Sequence, residues 1–126
     1  MQTIKKNENI WLAEPEAHDY PAAADYLDLL YSGDTPEHTA DHLKKCPTVM
    51  KKAKDILRAS ELPLLPADNT LVKDNIQKVQ DGKKLSPVLL VRGRKLIIAD
   101  GYHRVCAAYY LSEDLQIPCR ITDLKQ

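Results

Sequence analysis

The residues of this chain with the clearest capacity for chemistry are 100–104, which read Asp-Gly-Tyr-His-Arg and are called the box below. The apolar residues 95–99 predict a buried strand before the box, and the apolar spacing of residues 105–111 predicts a helix after it. The first N–H groups of a helix lack intrahelical partners, and the helix dipole favours negative charge there. The sequence therefore predicts an anion site at the box.

Each residue of the box has a role that suits such a site. Gly101 permits a tight turn and close approach of a ligand, with the backbone amides of Gly101 and Tyr102 cradling a phosphate. Arg104 offers a planar fork for phosphate or carboxylate, and His103 can donate to a phosphate oxygen or carry a proton. Asp100 can hold a metal ion or accept a proton from a hydroxyl. The competing interpretation is purely structural: Asp100 caps the helix and Arg104 pairs with an acid.

Two other patterns have residue types that can form sites. His38, His42 and Cys46 have the spacing of one helical face, and two histidines four residues apart can share a metal. No fourth ligand is evident, so the pattern favours a solvated polar face. The lysine-rich residues 51–54 are likewise more typical of the solvated side of a helix than of a phosphate contact.

Composition and charge exclude some classes of function. The chain has 126 residues, with 18 basic and 18 acidic side chains and a net charge of zero. A dedicated nucleic-acid binder usually has a basic surplus, so nucleic acid is not expected as a partner. No apolar run approaches the roughly 20 residues of a membrane span. Residues 1–7 lack the apolar core of a signal peptide, which predicts a cytoplasmic protein without membrane contact.

The elements that must position the box are helices followed by a mixed α+β region. Apolar periodicity and capping signals predict three helices in the first half, at residues 19–31, 35–46 and 47–59. Residues 61–66 are at best a short edge strand, because two prolines interrupt them. The second half predicts a helix that Asp68 or Asn69 caps and that runs to about residue 81. A hairpin (residues 86–91 with 95–99), the box helix (to about residue 111) and a last strand (116–122) follow. We expect an N-terminal helical extension, residues 1–59, packed on an α+β domain, residues 60–126.

An ordered set of motifs in the second half resembles a known superfamily. The set is a strand LSPVLLV (residues 85–91), then LIIADGYHR (96–104), an Ala-Ala pair (107–108) and IPCRI (117–121). It is similar to the ParB/sulfiredoxin-like superfamily, in the bacterial branch that carries the ParB-like nuclease domain. The resemblance implies a small mixed sheet with helices that binds a nucleotide phosphate at the box. The implied ligand is ATP or CTP, with Mg²⁺ as an accompanying ion.

The residue types in the box separate the branches of this superfamily. Sulfiredoxins carry a cysteine nucleophile where this chain has Tyr102, so the resemblance does not imply sulfiredoxin activity. Chromosome-partition proteins carry a second arginine in the box and a following DNA-reading domain, neither of which this sequence contains. Free-serine kinases have Asp-Gly-His-His-Arg, the version nearest to this box. They also use an upstream glutamate as a base, for which Glu61 is the counterpart here.

These observations lead to three hypotheses about function. In the first, the chain binds a nucleotide and acts as a small phosphotransferase, with Asp100, His103 and Glu61 as catalytic residues and Lys73 or Lys78 reaching the nucleotide. In the second, it is a non-catalytic regulatory module whose N-terminal helices bind a protein partner or a second copy. The third and weakest is DNA binding or nuclease activity. The box itself argues for binding more firmly than for catalysis.

Overall fold

The computed structural model describes residues 9–125 and shows a small α+β domain with five helices and four strands. Residues 1–7, on which the prediction of no signal peptide rests, lie outside the described residues. The helices are α1 (Asp19–Asp28), α2 (Thr35–Leu43), α3 (Ala53–Ser60), α4 (Thr70–Gln80) and α5 (Tyr102–Leu111). The strands are β1 (Val49–Lys52), β2 (Val88–Arg92), β3 (Leu96–Asp100) and β4 (Gln116–Asp123). Within residues 9–125, none of the helices has both the length and the apolar character needed to cross a bilayer.

The four strands form one mixed sheet in the order β1-β4-β2-β3. Strands β2 and β3 make the predicted antiparallel hairpin, and β2 runs parallel to β4, with Val88 opposite Cys119. The parallel pair requires a crossover, which α5 supplies. Strand β2 is central and buried from Val88 to Val91, which explains its continuous apolar run.

Both faces of the sheet are covered, so the fold has three layers. Alternate residues of β2 point to opposite faces. Val88 and Leu90 join the larger core with α3, α4 and α5, whereas Leu89 and Val91 join a smaller core with α1 and α2. The helices of the first half therefore pack on the same sheet that carries the box.

The prediction of a helix over residues 47–59 is wrong in its first part. Val49–Lys52 forms strand β1, which pairs antiparallel with β4, and α3 begins only at Ala53. Pairing with a distant strand overrides the local preference here, and β1 is an edge strand on which Met50, Lys51 and Lys52 are exposed. Exposed lysines are a common protection of sheet edges. Part of the segment predicted as an extension, residues 1–59, thus belongs to the sheet.

The remaining elements follow the sequence pattern with shifted ends. Helix α4 begins after Asn69, whose side chain accepts hydrogen bonds from the N–H groups of Leu71 and Val72, at 3.0 and 3.2 Å. Helix α2 ends at Leu43, short of the predicted residue 46. Residues 61–66 form no strand and run as irregular chain across the end of the domain.

Candidate functional site

The turn between β3 and α5 depends on Gly101. This residue is the N-cap of α5 and has φ 113°, in the region that favours glycine. A Cβ atom at this position would lie only 2.5 Å from Cγ1 of Val88, a buried residue of β2. The turn is therefore pressed against the central strand, and a larger residue would push it away.

The start of α5 is open. No side chain caps it, and the first backbone hydrogen bond of the helix runs from the N–H of Val105 to the carbonyl oxygen of Gly101, at 3.0 Å. The N–H groups of residues 102–104 precede that bond and so have no partner within the helix. A cavity of about 220 Å³ lies at this end, lined by the five residues of the box with Leu71 and Asn75.

Asp100 and Arg104 form an ion pair inside the site. Nη2 of Arg104 lies 2.9 Å from Oδ2 of Asp100 and also donates to the carbonyl oxygen of Pro87, at 3.1 Å. Nε of Arg104 is buried without a hydrogen-bond partner. Both side chains are more than four-fifths buried. One part of the purely structural interpretation of the box agrees with the structure, because Arg104 pairs with an acid, which is Asp100. The other part does not, because the Asp100 side chain does not cap α5.

Burial also sets the protonation of Asp100. Loss of hydration raises the pKa of this carboxyl above its ordinary value of 3.8, and the neighbouring Arg104, which favours the charged form, only partly offsets the effect. The buried Asp19 of α1 adds a smaller contribution in the same direction. The buried surroundings of Asp100 therefore favour its neutral form, whereas Arg104 favours the carboxylate anion.

The side chain of Tyr102 serves the structure. Its hydroxyl donates to the carbonyl oxygen of Pro63 at 2.5 Å, which ties residues 61–66 to the start of α5. Burial raises the pKa of the Tyr102 phenol, so it remains a neutral donor. Its ring lies 5.6 Å from the ring of His103, centroid to centroid. What Tyr102 offers a ligand is its backbone amide, whereas His103 lines the cavity with its half-buried imidazole.

Glu61 lies at a different place. It follows α3 and lines a separate cavity of about 370 Å³, between the end of α1 and the β2–β3 turn. It is not among the residues that line the cavity at the box. The structure thus brings Asp100 and His103 together but does not bring Glu61 to them.

The two predicted lysines of α4 lie on opposite flanks of that helix. Lys78 follows Leu71 and Asn75 at helical spacing and lines, with both of them, a neighbouring groove of about 330 Å³. Lys73 is two residues from Leu71 and so points to the other flank. Only Lys78 is on the side of the box.

Leu71 and Asn75 are the lining residues that the sequence prediction missed. Both line the cavity at the box and also the groove along α4, so the two spaces adjoin at these residues. Leu71 lies outside the core pattern of α4 and is 53% exposed. Its place beside the box results from the packing of α4 on α5, which no local pattern in the sequence indicates.

Asp100 has few companions that could share a metal ion. Across residues 9–125 there is no group of three or more His, Cys, Asp or Glu side chains placed to hold one. A Mg²⁺ ion at Asp100 would need its other ligands from phosphate oxygens and water, as is usual for this ion. In the pattern of His38, His42 and Cys46, the Cys46 thiol donates a hydrogen bond to the carbonyl oxygen of His42, at 3.4 Å.

Replacing Gly101 by alanine tests the tight turn. We expect Gly101→Ala to lower the free energy of unfolding by about 2–4 kcal/mol, because strain at positive φ adds to the clash with Val88. Gly82→Ala is the matched control, since Gly82 also has a positive φ, 81°, but no atom near the added Cβ. It should cost about 1 kcal/mol. Equal losses in urea unfolding would contradict the close contact.

The raised pKa of Asp100 predicts a pH dependence of stability. The folded chain keeps the Asp100 proton at pH values where the unfolded chain has lost it. Its contribution to the free energy of unfolding is therefore fully present below pH 3.8 and is lost as the pH rises through the folded-state pKa. Asp100→Asn lacks this titration. Relative to that variant, the wild-type chain should lose stability with rising pH in urea unfolding; a relative gain would show that Arg104 dominates.

The site thus combines an uncapped helix start, a guanidinium, an imidazole and one buried carboxyl around a small cavity. These features come from β3, α5 and the flank of α4, which meet at one end of the sheet. Comparisons of this chain with protein-family models, with curated proteins and with solved structures found no match.

Proposed function

We propose that this chain binds a phosphate group of a nucleotide, ATP or CTP, at the box. The observation that carries the proposal is the uncapped start of α5, which opens on a cavity lined also by His103 and Arg104. Free N–H groups, the positive end of the helix dipole, the Arg104 guanidinium and the His103 imidazole would act together on one anion. Gly101 lets the turn pack closely against Val88, which places the open start of α5 at the cavity.

In the ion pair with Arg104, the Asp100 carboxylate would compete with a bound phosphate for the guanidinium. Nη2 of Arg104 already bonds a carboxylate, while its Nε is buried and unpartnered. A bound phosphate would supply acceptors for the guanidinium in place of Asp100. Mg²⁺, held by Asp100 and the phosphate oxygens, would neutralise the carboxylate and favour this exchange. We therefore propose that Mg²⁺ strengthens nucleotide binding.

The groove along α4 supports a ligand larger than free phosphate. It adjoins the cavity at the box at Leu71 and Asn75 and extends to Lys78. Leu71 offers an apolar surface to a base, and the Asn75 amide both donates and accepts hydrogen bonds. Such an arrangement suits a nucleoside whose phosphate occupies the start of α5.

A non-catalytic role is the second candidate, and two observations favour it over phosphate transfer. Asp100, the residue expected to act as a base, is engaged by Arg104, and Glu61 lies in another cavity. A phosphotransferase would need Asp100 released on binding. We propose nucleotide binding as the primary property of the site, with signalling or regulation rather than turnover as its use.

The placement in the ParB/sulfiredoxin-like superfamily remains part of the proposal. It is supported by the ordered motifs of residues 85–121 and agrees with a mixed sheet whose hairpin leads into the box. We further propose that an N-terminal segment packs on the sheet through α1 and α2. We also propose that the protein is located in the cytoplasm, where nucleotides are abundant.

A thermal-shift panel tests the proposal. ATP, CTP and ADP are compared with adenosine and inorganic phosphate, each with and without Mg²⁺. A nucleotide at 100 times its dissociation constant should stabilise the fold by about 2.7 kcal/mol. Arg104→Gln should abolish the shift, whereas Arg58→Gln, which removes an exposed arginine of α3, should keep it.

Two outcomes of the panel would overturn nucleotide binding: no shift with any nucleotide, or the same shift in wild type and Arg104→Gln. An assay of ATP hydrolysis and transfer then separates the two uses of the site. Turnover that is lost in Asp100→Asn would support phosphotransfer. Binding without turnover would support the regulatory role.

A further inference from the structure

A cavity away from the box, at the β2–β3 hairpin, is called the hairpin pocket here. It has a volume of about 370 Å³ and lies between the end of α1, the end of α3 and the β2–β3 turn. Its lining residues are Leu30, Tyr31, Glu61, Arg94, Lys95 and Ile97. That volume is at the low end for ligand sites and suits a small molecule.

The lining of the hairpin pocket divides into three kinds of surface. Leu30, Tyr31 and Ile97 form an apolar wall. Arg94 and Lys95 bring two positive charges from the hairpin turn, and Glu61 brings one negative charge from the end of α3. Within the described part of the chain, the ion pairs include none of these three charged residues. Opposite charges thus share one pocket without neutralising each other.

The backbone of Glu61 gives an independent reason to assign its side chain a role. Glu61 has φ 57° and ψ 27°, the left-handed conformation at the C-terminal end of α3. Over residues 9–125 it is the only non-glycine residue with positive φ. Glycine is the residue most often found in this conformation at the end of a helix, because a side chain there strains the backbone. The chain keeps a carboxylate where glycine would fit better, and that carboxylate lines the pocket.

The turn opposite Glu61 is shaped to admit Tyr31. A Cβ atom on Gly93 would lie 2.9 Å from the Tyr31 hydroxyl and 3.0 Å from Cδ1 of Ile97. Because Gly93 has no side chain, Tyr31 can lie over the hairpin and close the apolar wall. Close packing of Tyr31 and Ile97 against the hairpin therefore forms the base of the pocket, and the charged residues Glu61, Arg94 and Lys95 form its rim.

We propose that the hairpin pocket binds a small zwitterion with an apolar body, of the class of free α-amino acids with a large apolar side chain. The ligand's carboxylate would bind Arg94 and Lys95, and its ammonium group would bind Glu61. Its side chain would pack against Leu30, Tyr31 and Ile97. This site is independent of nucleotide binding at the box, because the two cavities share no lining residue.

The experiment is an NMR titration of the ¹⁵N-labelled full chain with L-leucine and L-phenylalanine. Saturable shifts are expected at the amides of residues 30, 31, 61 and 94–97. Three matched compounds each remove one feature: N-acetyl-leucine lacks the ammonium group, leucinamide lacks the carboxylate and glycine lacks the apolar side chain. Each should bind about tenfold or more weakly, because each loses one charged hydrogen-bonding partner or the apolar contact.

Variants separate binding from folding. Glu61→Gln and Arg94→Gln should weaken L-leucine binding about tenfold or more. The control is Arg58→Gln, which removes an exposed arginine that does not line the pocket. Glu61→Gly should abolish binding while keeping or raising the melting temperature, because glycine relieves the left-handed strain. Absence of saturable shifts with both amino acids would overturn the proposal. So would an affinity for N-acetyl-leucine or leucinamide equal to that for L-leucine, or shifts confined to residues outside the pocket.

Discussion

The contact between Gly101 and Val88 is the constraint on which the rest of the site depends. Strand β3 must end, and α5 must begin, directly against the central strand β2, and only a residue without a side chain fits there. This contact places the open start of α5 at one end of the sheet. It also brings Arg104 to the carbonyl oxygen of Pro87, the residue before β2. A small steric requirement thus fixes the position of backbone N–H groups, a guanidinium and a carboxylate at once.

The electrostatics of the box follow from that placement. Asp100 and Arg104 are four residues apart and mostly buried, so each is the other's nearest opposite charge. Burial raises the pKa of Asp100, while the positive charge of Arg104 opposes the change. Behind it, the Ser86 hydroxyl donates to buried Asp19, which fastens α1 to the chain before β2. The helical first half therefore supports the site from the other face of the sheet.

The sequence predicted those parts of the fold whose signals are local. The hairpin, α4 with its Asn69 cap and α5 with its glycine turn all follow from short patterns of apolar and capping residues. Strand β1 could not be predicted in this way, because Val49–Lys52 becomes extended only by pairing with β4, more than 60 residues away in sequence.

The candidate site likewise contains residues that local sequence patterns predicted and residues that they could not predict. Residues 100–104 are contiguous, so their placement around one cavity could be predicted once the turn was recognised. Glu61 could not be placed, since residues 61–66 have no periodic pattern and their path is set by contacts such as the hydrogen bond from Tyr102 to Pro63. Leu71 and Asn75 reach the cavity only because α4 packs on α5, a tertiary contact between well-separated segments.

The most direct measurement of the central claim is an NMR titration of the ¹⁵N-labelled chain with ATP and Mg²⁺, followed at the backbone amides of residues 101–104. Anion binding at the start of α5 should produce the largest saturable shifts at these amides, accompanied by Leu71 and Asn75. In Arg104→Gln the same shifts should be lost or require far more nucleotide. Unchanged amides at residues 101–104 under conditions in which ATP binds elsewhere on the chain would contradict the claim.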